Sequence, residues 1–185
     1  MDVQSIPKLP IIDFSIENLK PGTSSWLSTC KNVRSALEEY GCFEAVYDKL
    51  SLELHNEIFS AAKELLDLPI DVKAQSTSNQ VYFGYIGEEP DRPLYQSLGI
   101  DNISNLEGTQ SFTNLMWPTG NNQFCQNALS FAKLALELEQ MVKRMVFESY
   151  GVEKNFDSHS ELYNLKFIKY RAPQMDEENI GVETL

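Results

Sequence analysis

The sequence predicts an α/β (α+β) fold in which short strands accompany three amphipathic helices. Two observations predict it. Apolar residues recur at steps of three and four in three long segments, and short apolar runs without that period separate these segments. The chain has 185 residues, 42% of them hydrophobic and 23% charged, which is the composition of a globular protein. A chain of this length can bury a core of its own.

The first quarter of the chain predicts a strand, a helix and a second strand. Residues 7–14 (PKLPIIDF) are a short apolar run bounded by prolines, which is typical of a strand. A helix is predicted next, and Gly41 stands where a helix C-cap is expected. Residues 42–47 (CFEAVY) form the second strand candidate. The predicted buried face of the helix consists of Trp26, Cys30, Val33, Leu37 and Tyr40.

A second helix and an irregular region follow. Residues 51–68 carry apolar side chains at helical spacing, and Pro69 closes the segment. Residues 70–120 are polar and rich in Gly, Pro, Ser and Asn, with aromatic runs at 81–85 and 112–117. This composition predicts loops and short strands.

The last third predicts a long helix and a strand. Asn121 and Asn122 can cap the helix, whose apolar stripe runs from Phe124 to a stop near Gly151. Residues 163–171 (YNLKFIKYR) then alternate, which predicts a strand whose second face could line a cavity. That face carries Asn164, Lys166, Ile168 and Tyr170.

Charge and cysteine content exclude several classes of partner. The chain has 27 acidic and 15 basic residues and a formal net charge of −12, which disfavours nucleic acid. It offers no run of about 18 apolar residues for a transmembrane helix, and its N-terminus does not resemble a signal peptide. Cys30, Cys42 and Cys125 form no CxxC pair, so we expect buried, reduced thiols. A cytoplasmic protein without nucleic-acid or membrane partners is predicted.

Residue chemistry alone identifies no complete active site. His55 lies among charged residues of a predicted helix, which is typical of a solvated histidine. Asp157 and His159 could contribute to a metal site, but no third histidine is present to complete it. The acidic residues within 88–91 favour a solvated loop, and residues 84–87 (GYIG) predict a turn instead of a phosphate loop.

Six segments in order carry a family resemblance. They are PKLPIIDF (7–14), VRSALEEYGCFEAVYDKLS (33–51), KELLDLPIDVKAQ (63–75), FGY (83–85), the run at 112–118 that ends in Trp-Pro, and LKFIKYRAPQ (165–174). Together they resemble the N-terminal region of plant 2-oxoglutarate and Fe(II)-dependent dioxygenases. GCFEAVYDKLS and KYRAPQ resemble most closely the AOP-like subgroup, which is associated with glucosinolate side-chain modification.

The resemblance implies a domain organisation. Residues 1–120 would be the helical non-haem dioxygenase N-terminal domain, and residues 121–157 a long supporting helix. Residues 158–185 would begin an incomplete double-stranded β-helix, or jelly roll.

The resemblance also implies a cofactor set for the family. Full-length relatives hold Fe(II) with two histidines and one carboxylate, and bind 2-oxoglutarate partly through an Arg-x-Ser pair. In the family a run N-x-G-V-x-x-H-x-D supplies the first two metal ligands. Residues 180–184 keep its lead-in, but Leu185 stands at the first histidine position. We therefore expect no metal ligand, no catalytic residue and no cofactor in this chain.

Three residues are candidates for surviving contacts. Tyr170 occupies the position of a family tyrosine that faces 2-oxoglutarate, although Ile168 replaces the asparagine two residues earlier. The alternative is that Tyr170 is a core tyrosine. Ser111 and Thr113 fall in the segment that lines the substrate side in relatives.

Three hypotheses for function follow. The first is a truncated, inactive dioxygenase whose parent oxidises a small specialised metabolite with O₂ and 2-oxoglutarate, giving succinate and CO₂. The second is a non-catalytic interaction module, with possible self-association through exposed apolar surface. The third is an incomplete gene model of an active AOP-like dioxygenase.

Overall fold

The structure, a computed structural model, describes residues 8–78, 83–87, 92–103, 105–158 and 163–173. It combines helices and strands, which confirms the predicted mixed fold class. The chain divides into two compact units, which are described separately.

The first unit comprises Met1–Ser51 and Leu134–Ser160. Strand β1 (Ile11–Asp13) pairs in parallel with β2 (Glu44–Val46), and helix α1 (Ser24–Tyr40) connects them. A parallel pair needs such a crossover, because the chain must return to the same end of the sheet.

Helix α1 ends at the predicted Gly41, and both of its ends are capped. The Thr23 hydroxyl accepts a hydrogen bond from the Trp26 amide at 3.2 Å. At the other end Gly41 takes a left-handed conformation, with φ of 73°, and its amide donates to the Leu37 carbonyl at 3.1 Å.

The core of the first unit lies between α1, the strand pair and the C-terminal half of helix α5 (Asn122–Ser149). Two hydrogen bonds also join α1 to the C-terminal end of α5. The Trp26 indole donates to Glu148 at 2.6 Å, and Arg34 donates to the Ser149 carbonyl at 2.9 Å. The buried residues of this core are Ile12, Phe14, Trp26, Cys30, Val33, Ala36 and Met145.

The second unit comprises Leu52–Lys133 and Glu161–Leu185, and its core lies between helices and a three-stranded sheet. Its buried centre includes Leu65, Leu98 and Phe124. Its elements are α2 (Leu52–Leu66), α3 (Ile70–Lys73), β3 (Tyr85–Ile86), β4 (Tyr95–Asp101), α4 (Leu106–Met116), the first half of α5, and β5 (Asn164–Tyr170).

The sheet has the order β3-β4-β5 and is antiparallel throughout. Leu98 of β4 lies opposite Phe167 of β5, and both side chains are buried in the core of the unit. The other face carries the pairs Ser97–Ile168, Gly99–Lys166, Asp101–Asn164 and Tyr95–Tyr170. The alternation predicted for residues 163–171 is thereby confirmed.

Several predicted details are wrong. Residues 106–116, expected to be loop and short strand, form α4, and the predicted turn at 84–87 contains strand β3. Tyr40, assigned to the buried face of α1, is exposed, and so is Cys42. Tyr40 is the last residue of its helix, and its side chain is 42% exposed.

None of the helices in the described part of the chain is long and apolar enough to span a membrane.

Candidate functional site

The second unit contains a cavity of about 530 Å³ beside the end of β4 and the first turns of α4. Polar and apolar surface contribute about equally to its lining, and the apolar part includes Phe112 and Leu115 of α4. The lining residues are Gln75, Ser76, Thr77, Gly99, Asp101, Asn102, Asn105, Glu107, Gly108, Ser111, Phe112 and Leu115.

One wall of the cavity is the segment that follows α3, and strand β3 fixes its position. The Tyr85 amide donates to the Ser76 carbonyl at 2.8 Å. This close approach depends on Gly84, which has a φ of 76° and lies where a Cβ atom would be 2.7 Å from the same carbonyl oxygen.

A second wall is the N-terminus of α4, which begins immediately after a tight turn. Asn102 adopts a positive φ of 55°, a conformation that asparagine tolerates better than most residues. Asn105 then caps the helix, because its side-chain oxygen accepts from the Gly108 amide at 2.8 Å. A Cβ atom on Gly108 would lie 2.8 Å from the Asn102 carbonyl oxygen, so glycine allows the helix to approach the turn.

The floor of the cavity is the end of β4. Asp101 accepts a hydrogen bond from the Asn164 side chain at 2.9 Å, which ties β4 to the start of β5. Gly99 leaves room for the side-chain amide of Asn164, since a Cβ atom at position 99 would lie 2.7 Å from the Asn164 Nδ2 atom.

The cavity has an acidic character. Asp101 and Glu107 are carboxylates, and its described lining contains no lysine, arginine or histidine. Lys166 lies opposite Gly99 in the sheet, but its ammonium is 5.9 Å from the ring centre of Tyr95, at the other end of β4 from Asp101. Its charge is therefore directed away from the cavity.

The structure separates the two residues predicted for the substrate side. Ser111 is exposed and lines the cavity. Thr113 is fully buried, and its hydroxyl donates to the Thr109 carbonyl at 2.8 Å. Two residues along a helix turn the side chain by about 200°, so the two cannot face the same space.

Tyr170 lies on β5, outside the lining of the cavity. Its side chain is 56% exposed, and its ring meets that of Tyr95 edge-on at 5.3 Å. The alternative that Tyr170 is a core tyrosine is therefore wrong. Its role as a 2-oxoglutarate contact stays a prediction, and Leu185 lies outside the described residues.

The side chains that the structure describes do not form a cluster suited to an Fe(II) ion. Within the described ranges, no three His, Cys, Asp or Glu side chains come together in a group that could hold a metal. His55 is exposed, and its ring lies 4.7 Å from that of Phe59. His159 and the acidic residues within 88–91 fall outside the described residues, so the predictions made for them remain untested.

Sequence reasoning missed α4, which contributes more residues to the described lining of the cavity than any other element. A signal was present, because Asn105 and Gly108 have the spacing of an N-cap and its hydrogen-bond partner. A second signal was the spacing of Thr109, Phe112 and Met116, which are buried on one helical face.

Comparison with known proteins gives matches along most of the chain. The profile of the family described as "non-haem dioxygenase in morphine synthesis N-terminal" matches residues 9–111. A curated relative from Arabidopsis thaliana, probable 2-oxoglutarate-dependent dioxygenase AOP1, is 43% identical over 90% of this chain and 55% of its own. The 2-oxoglutarate-dependent dioxygenase AOP2 of the same plant is 39% identical over 95% of this chain and 41% of its own. The chain thus spans about half the length of the curated relatives it matches.

A solved structure has a similar fold. It is the dioxygenase for auxin oxidation 1 from Arabidopsis thaliana, in complex with 2-oxoglutarate. The TM-score is 0.78 at 23% sequence identity, over 90% of this chain and 59% of the other. This likeness shows the fold, and it confirms the predicted combination of a helical N-terminal region with part of a jelly roll.

Proposed function

Because the chain belongs to the 2-oxoglutarate-dependent dioxygenase family, in its AOP-like plant group, we propose that it forms the substrate-side part of such an enzyme. The complete enzyme would oxidise a small specialised metabolite with O₂ and 2-oxoglutarate, giving succinate and CO₂. In this proposal Ser111 faces the substrate, and Tyr170 contacts 2-oxoglutarate.

One observation carries the proposal. The cavity floor, Gly99 and Asp101, lies on the same face of the sheet as Tyr170. In this proposal the residue that the resemblance assigns to 2-oxoglutarate therefore shares a face of the sheet with the floor of the cavity. The Tyr95–Tyr170 pair lies six residues along the sheet from the Asp101–Asn164 pair, which is about 20 Å, so in this proposal the substrate extends from the cavity toward a co-substrate beside Tyr170.

We further propose that these 185 residues do not bind Fe(II) by themselves and are inactive alone. An iron centre that activates O₂ needs three protein ligands with open positions for 2-oxoglutarate and O₂. The proposal is supported by the lack of such a group in the described part of the chain.

The experiment that tests this proposal is anaerobic titration of the purified chain with Fe(II), with and without 2-oxoglutarate. We expect neither stoichiometric iron nor the visible charge-transfer band of iron-chelated 2-oxoglutarate, and no succinate once O₂ is admitted. A saturable band would contradict the inactive state, because it would require a metal site built from these residues.

A second candidate, an interaction module, is favoured by the exposed surface of β5. Ile168 is 51% exposed on the same face as Tyr170, and β5 pairs with β4 alone among the described strands. Such an edge can associate with another chain, including a second copy of this one. Light scattering after size exclusion separates the candidates. A defined stoichiometry, with a full-length relative or with itself, favours the module, whereas a clean monomer opposes it.

The third candidate, an incomplete gene model, is tested by sequencing the transcript across codon 185. An open frame continuing into His-x-Asp would favour an active dioxygenase. A cytoplasmic location, without nucleic-acid or membrane partners, belongs to the proposal in each case.

A further inference from the structure

The charge of the cavity suggests which ligands it selects. We propose that the cavity beside β4 and α4 binds small cationic amines and neutral alcohols in preference to carboxylates, sulfates or phosphates of the same size. This inference rests on the proposed function, since it names the class of substrate group that the cavity would receive.

The charged groups that line the cavity favour a ligand that donates hydrogen bonds. The full charges of the cavity are the carboxylates of Asp101 and Glu107, and no cationic side chain occurs in its described lining. A carboxylate only accepts hydrogen bonds, so it pairs with an ammonium or hydroxyl donor and repels another carboxylate. The hydroxyl groups of Thr77 and Ser111 can donate a hydrogen bond to a neutral ligand group or accept one from it.

Two of the lining side chains already accept hydrogen bonds from other residues of the chain. One oxygen of Asp101 accepts from Asn164, and the Asn105 oxygen accepts from the Gly108 amide. These bonds fix the orientation of both side chains. Glu107 forms no ion pair within the described part of the chain, so its negative charge is not neutralised by a neighbouring cation there.

The helix N-terminus at the cavity is an opposing influence. The start of an α-helix carries roughly half a positive charge, which attracts anions. Glu107 sits in the first turn of α4 and carries a full negative charge, so it more than offsets that partial charge. Asp101 adds a second negative charge, and the sum remains negative.

Apolar surface in the cavity sets the shape of a suitable ligand. Phe112 is nearly buried and Leu115 is about one-third exposed, and both lie on the cavity side of α4. A ligand with a flat apolar ring and a short arm that ends in a hydrogen-bond donor would use both kinds of lining. The volume of about 530 Å³ is ample for such a molecule.

The test uses three probes that share a phenyl ring and a two-carbon arm: 2-phenylethylamine, 2-phenylethanol and 3-phenylpropionate. Each is titrated at low salt into the ¹⁵N-labelled 185-residue chain, and the amide shifts of Gly99 and Gly108 report on the cavity. We expect the amine to bind about fivefold more tightly than the carboxylate, with the alcohol between them. High salt should reduce the difference.

A pair of variants isolates the charge. Glu107→Gln keeps the size of the side chain and should weaken binding of the amine about threefold without changing that of the alcohol. Glu53→Gln removes the same charge from the exposed start of α2, outside the cavity, and should change neither. Asp101 is left intact because its carboxylate holds Asn164.

The outcomes separate this inference from the proposed function. Carboxylate binding as tight as that of the amine, or an amine affinity unchanged in Glu107→Gln, would overturn the charge preference and leave the dioxygenase role standing. If none of the probes shifts Gly99 or Gly108, the cavity is not a ligand site, and its substrate-side role is contradicted as well. No step of the measurement requires iron or 2-oxoglutarate.

Discussion

Truncation of Phe124 should remove more stability than truncation of any exposed phenylalanine of the same unit. Phe124 is 2% exposed at the start of α5 and lies at the centre of an aromatic cluster. Its ring centre is 4.7 Å from that of Trp117, 5.8 Å from Phe167 and 6.1 Å from Phe112. Removing this ring leaves a space bounded by three elements, which cannot all move to fill it.

The expected loss follows from burial. Phe→Ala at a buried site costs about 3–5 kcal/mol of unfolding free energy, out of roughly 5–15 kcal/mol for a typical domain. At about 2–4 °C per kcal/mol for a chain of this size, the melting temperature should fall by about 6–20 °C. Urea unfolding followed by far-UV circular dichroism measures the first quantity, and a thermal scan measures the second.

Phe59→Ala is the matched control. Phe59 lies on helix α2 of the same unit, but it is 63% exposed and its described ring contact is with His55. Its truncation should cost less than about 1 kcal/mol. If Phe124→Ala does not fold, Phe124→Leu should still lose more stability than Phe59→Leu. Equal losses at the two positions would refute the assignment of the core.

Two further predictions concern α4 and β5. Gly108→Ala should lower the urea midpoint, although alanine favours helix by about 1 kcal/mol, because overpacking against the Asn102 carbonyl costs about 1–3 kcal/mol. Asp67→Asn should destabilise the chain at neutral pH but not at strongly acid pH. Hydrogen bonds from Lys169, and next from Lys63, lower the pKa of the Asp67 carboxyl to about 2. The stability that the ionised carboxylate contributes is therefore complete above its ordinary pKa of 3.8 and is lost as the pH falls toward 2. Thermal midpoints measured across this pH range check the second prediction.

Each has a control. Ser130→Ala, at an exposed position of α5, introduces alanine without a clash and should leave the midpoint equal or slightly higher. A Gly108→Ala protein more stable than the wild type would show that the turn yields to the new methyl group. For Asp67, the control is Asp48→Asn in the first unit. Asp48 is exposed, and its carboxylate forms no ion pair with the residues that the structure describes. A gap between Asp67→Asn and wild type that persists unchanged down to about pH 2 would contradict the pKa argument.

Local sequence determined the helices with strong periodicity. Helix α1 was predicted together with its Gly41 cap, and α5 together with Asn121, whose side chain accepts from the Phe124 amide at 3.0 Å. In these segments the spacing of apolar residues, the capping residues and the length of the segment all favour a helix. The strand at 163–171 was predicted for the same reason, since its alternation matches the two faces of a sheet.

Tertiary structure decided α4 and β4. Helix α4 contains Gly, Thr and Asn, which have low helix propensity, and it forms because Thr109, Phe112, Thr113 and Met116 are buried together. Strand β4 contains Gly99 and Asp101, which disfavour strands, and it forms because β3 and β5 pair with it on both sides. Propensity acts within a few residues, whereas burial and strand pairing depend on partners more than 60 residues away along the chain, such as Asp101 and Asn164.

The same division applies to function. The order of six short segments was enough to indicate the family. Such a resemblance depends on the identity and order of the residues and not on how the segments pack. The cavity was not visible in the sequence, since its walls come from residues 75–77, 99–102 and 105–115, which meet only after the chain has folded. That Ser111 faces the cavity while Thr113 is buried depends on the helical turn between them, a distinction that only the tertiary structure makes.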